Sequence, residues 1–509
     1  MAANEAQPHG KIDSEWDVIV IGSGLGGLSA AARLARTGLR VLVLEQHVFA
    51  GGYAHHFLRK VRGTKIVYDF DVALHQTGDL LPGRGMHQML SELEVLPRLE
   101  LHQFDVIYRT RGPRHDLQIP AAADAYEELL IELYPEQAGG VRDLFEHMRQ
   151  IDEPGEDGGP SPAAFASMEL SLKELLDQHV RDERIQGIFS TLWGYLGLVP
   201  SELSAFLFAR MWSSYHLGGC FYFKGGGQAL SDAFVGVIEA HRGKVVLRAE
   251  VARIETTSGQ VTGVETRRGQ RFRAPVVISN APAPLTYHQL LDSPELAAAE
   301  LERVDGLPLA CSIHQAYVGI RGDAAKLGLA DRGAFFSPTY DFEEERAAMA
   351  RGDYRRQGWM VGNHDLADPG HAPPGRSILH STVIADGSLW KADDEAAYRE
   401  RKRELESYLV DRIAEHIPDV RERIEVIETG TPHTMQRYSS NPEGSIYGYA
   451  SSPTSHSIHR PEARSSVPGL YLAGAWTFPG PGFTGTMASG HRTAGLVIED
   501  FEGRSGGPR

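Results

Sequence analysis

The stretch that most constrains how this chain can fold runs from Asp17 to Gly52, DVIVIGSGLGGLSAAARLARTGLRVLVLEQHVFAGG. Its opening run, Val18 to Ile21, is apolar, rich in β-branched residues and far shorter than a membrane span, the composition of a parallel strand buried on both faces. Gly22, Gly24 and Gly27 then spell G-x-G-x-x-G. In that motif the first glycine makes the tight turn, the second lets backbone approach a pyrophosphate, and the third lets the helix pack closely on the strand. Small and apolar side chains follow at helical spacing (Leu28, Ala31, Ala32, Ala35), with Gly38 where a helix end favours a left-handed residue. Free N–H groups and the positive end of the dipole at this helix N-terminus would face two phosphates without any lysine. Leu39 to Leu44 form a second apolar strand that delivers Glu45, 23 residues after Gly22, to accept hydrogen bonds from a ribose diol. Gln46, not arginine, comes next, so nothing invites a 2′-phosphate. Strand, turn, helix and acidic residue in this order are the context that separates a dinucleotide site from a chance glycine pattern.

A chain of 509 residues exceeds what one hydrophobic core supports, so at least two domains are expected. Lys plus Arg is 51 against Asp plus Glu of 67, and the net charge of −16 argues against nucleic acid and against holding anionic lipid by charge alone. Cys220 and Cys311 are the only cysteines, which excludes a disulfide framework and suits a reducing cytoplasm. Residues 1–14 lack the basic and apolar regions of a signal peptide and read as a disordered tail. No segment offers about eighteen unbroken apolar residues, so the expectation is a cytoplasmic protein with at most peripheral membrane contact. There is no tandem repeat and no second complete G-x-G-x-x-G, which leaves one dinucleotide site.

Beyond Glu45 the loop reads Gly51-Gly52-Tyr53-Ala54-His55-His56-Phe57, and Tyr68-Asp69-Phe70-Asp71-Val72-Ala73-Leu74-His75 follows. A glycine doublet shortly after the acidic second strand resembles the glutathione-reductase-type flavin fold, in particular the family of bacterial phytoene desaturases, carotenoid isomerases and retinol saturases. Ala73 departs from the glycine usual there. Lys224-Gly225-Gly226-Gly227 opens a helix through Ala240, and Lys244 to Ile278 alternates as a meander of three strands with turns at Ser258-Gly259 and Arg268-Gly269. Val276 to Ala281 then returns to the nucleotide sheet. The C-terminal motif, Gly469 to Gly490, is an apolar strand, a Gly/Pro-rich turn and a second helix N-terminus near Thr486 and Met487. Its glycine, aromatic and proline alternation is where the resemblance to phytoene desaturases is closest. Many flavoproteins carry Asp at the position of Ala475, and its absence leaves that contact to backbone.

The resemblance implies an α/β chain with a Rossmann-like FAD-binding domain (15–81, 220–282 and 465–503) and a discontinuous helical/β substrate domain (82–219 and 283–464). It implies FAD as cofactor, held by Gly22, Gly24, Leu25, Gly26, Gly27, Glu45, Gln46, Gly51, Gly52, Tyr53, Val251, Asn280, Ala281, Gly474, Ala475, Gly485, Thr486 and Met487. The backbone at Val251 would meet the adenine.

Between Pro82 and Gly219 the pattern is of amphipathic helices, for example Asp124 to Leu133 and Leu170 to His179, interrupted by the loop Glu153 to Pro162. Ile188 to Phe223 is rich in aromatics, which read either as an all-helical core or as the lining of an apolar tunnel or a membrane-touching surface. Farther on, strands (Cys311 to Ile320, Ser377 to Ala385) mix with a charged helix, Asp394 to His416, whose charges suit a solvated face. His55, His56 and His75 lie near the expected flavin and are candidates for acid–base work, with hydrogen bonding to loop backbone as the plainer role. Arg437 and Tyr438 are candidates to meet a polar substrate end, against surface ion pairing. His456 and His459 lack further ligands nearby, and no metal is expected.

What the resemblance implies for function is an FAD enzyme acting on a polyene or isoprenoid lipid, by desaturation, saturation of one double bond, or cis–trans isomerisation. The preferred form is a carotenoid-type desaturase or isomerase, with a hydrophobic small-molecule substrate and an external electron donor or acceptor. Two other readings share the architecture: an amine or amino-acid oxidase, and a non-catalytic binder of prenylated partners like the Rab escort and GDP-dissociation-inhibitor proteins. The intact phosphate glycines and Glu45 count against the last.

Overall fold

Four apolar residues in a row stay out of water only where both faces of their strand are covered, and Val18–Ile21 (β1) is covered twice. Val18 and Val20 belong to a core shared with the helix Leu25–Arg36 (α1), the helix Gly226–Ala240 and the C-terminal helix Gly482–Ser505. Ile19 and Ile21 belong to a second core, on the face covered by an antiparallel three-stranded sheet, Val251–Thr257, Gln260–Thr266 and Arg271–Arg273. The computed structural model describes residues 13–155, 158–391 and 394–505. In it β1 is the centre of a five-stranded parallel sheet, flanked by Val41–Leu44 (β2) and Val276–Ser279, with Lys244–Val246 and Leu470–Leu472 outermost. This is a mixed α/β fold, as expected from the motif.

Several local expectations are corrected. Of the predicted tail, residues 1–12 lie outside the described residues, while Ser14 is tied down, its carbonyl accepting from Arg273 N at 2.7 Å. Lys244–Val246 is not part of the meander: it pairs with β2, and the meander itself spans Val251 to Arg273. A three-residue strand carries too little alternation to name its partner. The segment after Pro82 is not purely helical, for Leu101–Phe104, Val106–Gly112 and His115–Pro120 are strands. Their partners lie far along the chain, Cys220–Phe223 for the first and Ala334–Phe336 for the second, and charged positions such as Arg109 and Arg111 in the second and Asp116 in the third blur the alternation that would mark a strand.

The second sheet has seven strands in the order Ile424–Gly430, Ser312–Arg321, Arg376–Ala385, Trp359–Asn363, Ala334–Phe336, Val106–Gly112 and His115–Pro120. One helix, Glu395–Ala414, buries Leu405, Leu409 and Ile413 against it while its charges face outward. Phe189, Phe208 and Trp212 pack with Tyr126 and Phe145 in a helical core, as the plainer reading of the aromatics has it. Tyr195, Phe206 and Tyr215 line a cavity instead. Among the described residues no helix is long and apolar enough to cross a membrane.

The two ends of the chain meet where the C-terminal helix crosses α1. Ser29 Oγ donates to Met487 O at 2.9 Å and Arg33 Nη1 to His491 O at 2.6 Å. A Cβ on Gly490 would overlap the Gly26 carbonyl and lie 3.0 Å from Ala30 N, and backbone cannot yield as a flexible side chain does. Gly490→Ala is therefore expected to cost about 1–3 kcal/mol, seen as a lower Tm. Gly503→Ala, whose methyl meets nothing within 4 Å, should not lower it.

Candidate active site

Gly22 turns the chain out of β1 with φ +88°. A Cβ on Gly24 would lie 2.7 Å from Asn280 Nδ2, and one on Gly26 would lie 2.6 Å from Gly474 Cα. Asn280, at the end of a parallel neighbour of β1, thus forces small residues at the start of α1 and keeps that helix terminus bare. At the end of β2 the buried Glu45 carboxylate is aimed by three donors: Ser23 N (2.8 Å) and Ser23 Oγ (2.7 Å) to Oε2, and His47 N (2.7 Å) to Oε1. Gly51 N donates to Ser23 O at 2.9 Å, which fixes the glycine doublet beside the same turn.

These groups open onto one cavity of about 2210 Å3. Ligand pockets usually measure about 300–1,000 Å3, so there is room for a dinucleotide and a second ligand. Gly22, Gly24, Leu25, Gly26, Glu45, Gln46, Gly51, Gly52, Tyr53, Val251, Asn280, Ala281, Ala475, Gly485 and Thr486 line it, as do His55, His75 and Arg437.

Four predicted residues do not. Gly27 serves packing, since a Cβ there would overlap the Gly22 carbonyl, and Gly474 sits behind the lining, its N–H donating to Ser489 Oγ at 3.0 Å. Met487 is fully buried against α1 because the C-terminal helix starts at Gly482, four residues before Thr486. Gly480 and Gly482, both at positive φ, break the chain and let the helix begin at once, so Phe483, Thr484 and Gly485 of its first turn line the cavity. His56 points to Asp69, with 2.8 Å between Nδ1 and a carboxylate oxygen.

The wall carries neutral imidazoles. His55 Nδ1 lies 2.5 Å from Gly52 O, so its proton sits on Nδ1 and the Nε2 lone pair is left over, and burial pulls the ring down to about 4. His75 stacks on His380 at 4.7 Å, with Nδ1 3.4 Å from the Tyr195 hydroxyl, and burial and then the Arg332 guanidinium bring it down to about 4. Burial holds His364 and His380 far below the ordinary imidazole range as well. Ligand atoms of His75, His364 and His380 all lie within 4.8 Å of one another. The same guanidinium, donating to His75 O and Gln76 Oε1 at 3.0 Å, opposes any further cation there. Sequence reading misses His364, His380 and Arg332, which come from a short helical turn, a strand and a loop far apart in the chain and carry no motif. It also misses Glu345, a buried cavity carboxyl that desolvation raises to about 7. Arg437 is exposed at the rim, and His456 Nε2 is taken by Met168 O at 3.0 Å.

The model of the flavin-containing amine oxidoreductase family matches residues 25–498. The chain belongs to that family. It is 27% identical to all-trans-retinol 13,14-reductase of Danio rerio, over 96% of this chain and 86% of that protein. It is 23% identical to prolycopene isomerase 1, chloroplastic, of an Oncidium hybrid cultivar (96% and 86% covered). With phytoene desaturase (lycopene-forming) of a Paracoccus species the identity is 25% (95% and 97%). Two solved structures share the fold: an oxidoreductase from Methanosarcina mazei, TM-score 0.66 at 20% identity covering 95% of this chain and all of that one, and putrescine oxidase bound to putrescine, TM-score 0.61 at 16% identity covering 95% and 99%. The protein is an FAD-dependent oxidoreductase, and the binder reading falls away. The bare glycine turn, the aimed Glu45 and the size of the cavity fit that cofactor, which supplies hydride and electron transfer that side chains cannot.

Asp69 raises the His56 pKa through their hydrogen bond, while hydrogen bonds from His371 and His56 overcome burial and hold Asp69 down at about 2. A raised histidine stabilises the fold fully below its unfolded pKa, and this is lost as pH rises through the folded value; the lowered carboxylate stabilises above its unfolded pKa, and this is lost as pH falls towards about 2. The gap in urea midpoint between wild type and His56→Gln should be widest near about pH 5 and close above about pH 8.

Proposed function

We propose that this oxidoreductase acts at a C–C or C=C bond of a polyene or isoprenoid lipid, with the substrate in the part of the cavity beyond the glycine turn. In this reading the α1 amides at Leu25 and Gly26 hold the pyrophosphate, Glu45 the ribose and Val251 the adenine. Ala475, Gly485 and Thr486 border the flavin ring. The observation that carries the proposal is the apolar extension of the cavity, bordered by Tyr195, Phe206, Tyr215, Phe335 and Ile384. A long greasy molecule fills such a space at little desolvation cost. Support comes from relatives named for retinol, prolycopene and phytoene that align over nearly the whole chain. The likeness to putrescine oxidase is one of fold alone, so the amine reading has less behind it.

His55 and His75, neutral on the cavity wall, are the groups proposed to give or take a proton, and saturating a double bond requires one besides the hydride. His56 has no part in this, being outside the cavity. Arg437 at the rim meets a polar substrate end. Electrons come from or go to an external partner, consistent with a single nucleotide motif. The exposed apolar residues Phe165 (58% exposed) and Ile458 (52%) stand at a mouth bordered by Met168 and Leu207, where a lipid surface would deliver substrate.

The test is anaerobic incubation of holoenzyme with a polyene panel, the flavin oxidised and then reduced. Products two hydrogens lighter, two heavier or unchanged in mass but altered in geometry distinguish the three reactions. Peroxide release from amines with every polyene untouched would overturn the proposal. Glu45→Ala should weaken FAD binding about 10- to 100-fold in a fluorescence titration, the loss of a charge-assisted hydrogen bond pair. Phe165→Glu should reduce sedimentation with neutral liposomes.

A further inference from the structure

Arg460 is completely buried, yet among the described residues it makes no ion pair. Its guanidinium donates to three backbone carbonyls instead: Nη1 to Tyr447 O at 3.1 Å and to Ala475 O, and Nη2 to Tyr449 O at 2.7 Å, while Nε has no partner. Desolvation lowers its pKa to about 9, so it stays a cation at neutral pH. Taking such a charge out of water costs several kcal/mol, and carbonyl dipoles return only part of that. A cation retained under those terms is expected to have an electron-rich partner that the protein itself does not supply.

The place of Arg460 says where that partner sits. Tyr447, Ala475, Trp476, Phe478 and Pro479 all line the cavity, and a Cβ on Gly480 would be 3.5 Å from the guanidinium carbon. The cation therefore lies directly behind the Ala475 to Gly480 loop, one peptide layer from the cavity. The C=O and N–H of a trans peptide point in opposite directions. With the Ala475 carbonyl turned back onto Arg460, the N–H of Trp476 is turned the other way, and it has no hydrogen-bond partner among the described residues. The first-turn amides of the C-terminal helix, at Phe483 to Gly485, present positive potential from the adjoining segment.

We propose that Arg460 is a positioning and charge-bearing residue for FAD: through the Ala475–Trp476 peptide it aims a polarised N–H and a positive potential at the electron-rich edge of the flavin, and so favours its reduced, anionic form. The balance is simple, for two-electron reduction to that form takes up one proton rather than two, with the electrons coming from the substrate or the external donor. This rests on FAD occupying the cavity as proposed above. It also accounts for the alanine at position 475, because the cation behind the loop takes over an electrostatic task from the peptide side rather than from a carboxylate contact.

The test compares wild-type, Arg460→Lys and Arg460→Gln holoenzymes by flavin reduction potential, FAD affinity in both redox states and titration with inorganic sulfite, which adds to electron-poor oxidised flavins. Expected is a lower potential in Arg460→Gln, equivalent to at least a tenfold loss of preference for reduced over oxidised FAD, with Arg460→Lys within about threefold of wild type. Wild type should bind sulfite reversibly. An unchanged potential in Arg460→Gln, or an equal fall in both variants, would reduce Arg460 to a clamp on three carbonyls and overturn the proposal. If Arg460→Gln does not fold, a wild-type flavin inert to sulfite, or a tenfold loss in Arg460→Lys, overturns it. Wild type that takes up no FAD at all would sink the reading of the cavity itself, which is a different readout from any of these.

Discussion

Close backbone contact between the first and last elements of the chain is the constraint on which the rest of this structure depends. The turn after β1, the start of α1, Asn280 and the strand end at Gly474 approach so nearly that no side chain fits between them, and Gly490 repeats the condition one helix away. Close approach there leaves amide groups bare at one end of α1. It also makes the fold non-local, since the N-terminal motif is completed only by residues some 250 and 450 positions later. The glycines are at once a packing requirement and the reason bare backbone borders the cavity there.

Charge is handled in the opposite way on the two sides of the cavity. Near the surface, His56 and Asp69 pair, the carboxylate favouring the protonated imidazole and the histidines favouring the ionised carboxylate. On the interior wall, burial strips the protons from His55 and His75, so these rings face the cavity as neutral donors and acceptors. Two arginines, Arg332 and Arg460, are retained in the interior on backbone carbonyls rather than on carboxylates. Positive potential without a matching anion is a reasonable setting for chemistry in which negative charge appears and disappears on a bound group.

The two sheets divide the labour. The parallel sheet and its covering helices build the glycine turn and aim the Glu45 carboxylate. The seven-stranded sheet and the helical core bring Tyr195, Phe335 and Ile384 to the same cavity, where they supply its apolar lining. The aromatics of residues 188–223 thus serve two purposes, some filling a core and others lining the cavity, and helical spacing alone could not separate them.

Much of the nucleotide end was legible because its determinants are local. A buried strand, a turn that needs glycine and an acid at a set distance occupy 29 consecutive positions from Asp17 to Glu45, and each has a direct stereochemical cause. The error over Met487 came from placing a helix start by pattern, when two glycines at positive φ set it at Gly482. Strands at Leu101–Phe104 and Val106–Gly112 were hidden because half-exposed strands with polar or charged outer faces are recognisable only beside their partners. By itself, then, the sequence determined the glycine turn after β1 and the alternation of β and α around it, both consequences of bonds and neighbours a few residues apart. Only the tertiary structure decided which histidines share a wall, that His56 faces an aspartate and that Arg460 lies beneath the loop at Ala475, because burial and Coulomb interaction depend on distance in space, which chain separation does not record.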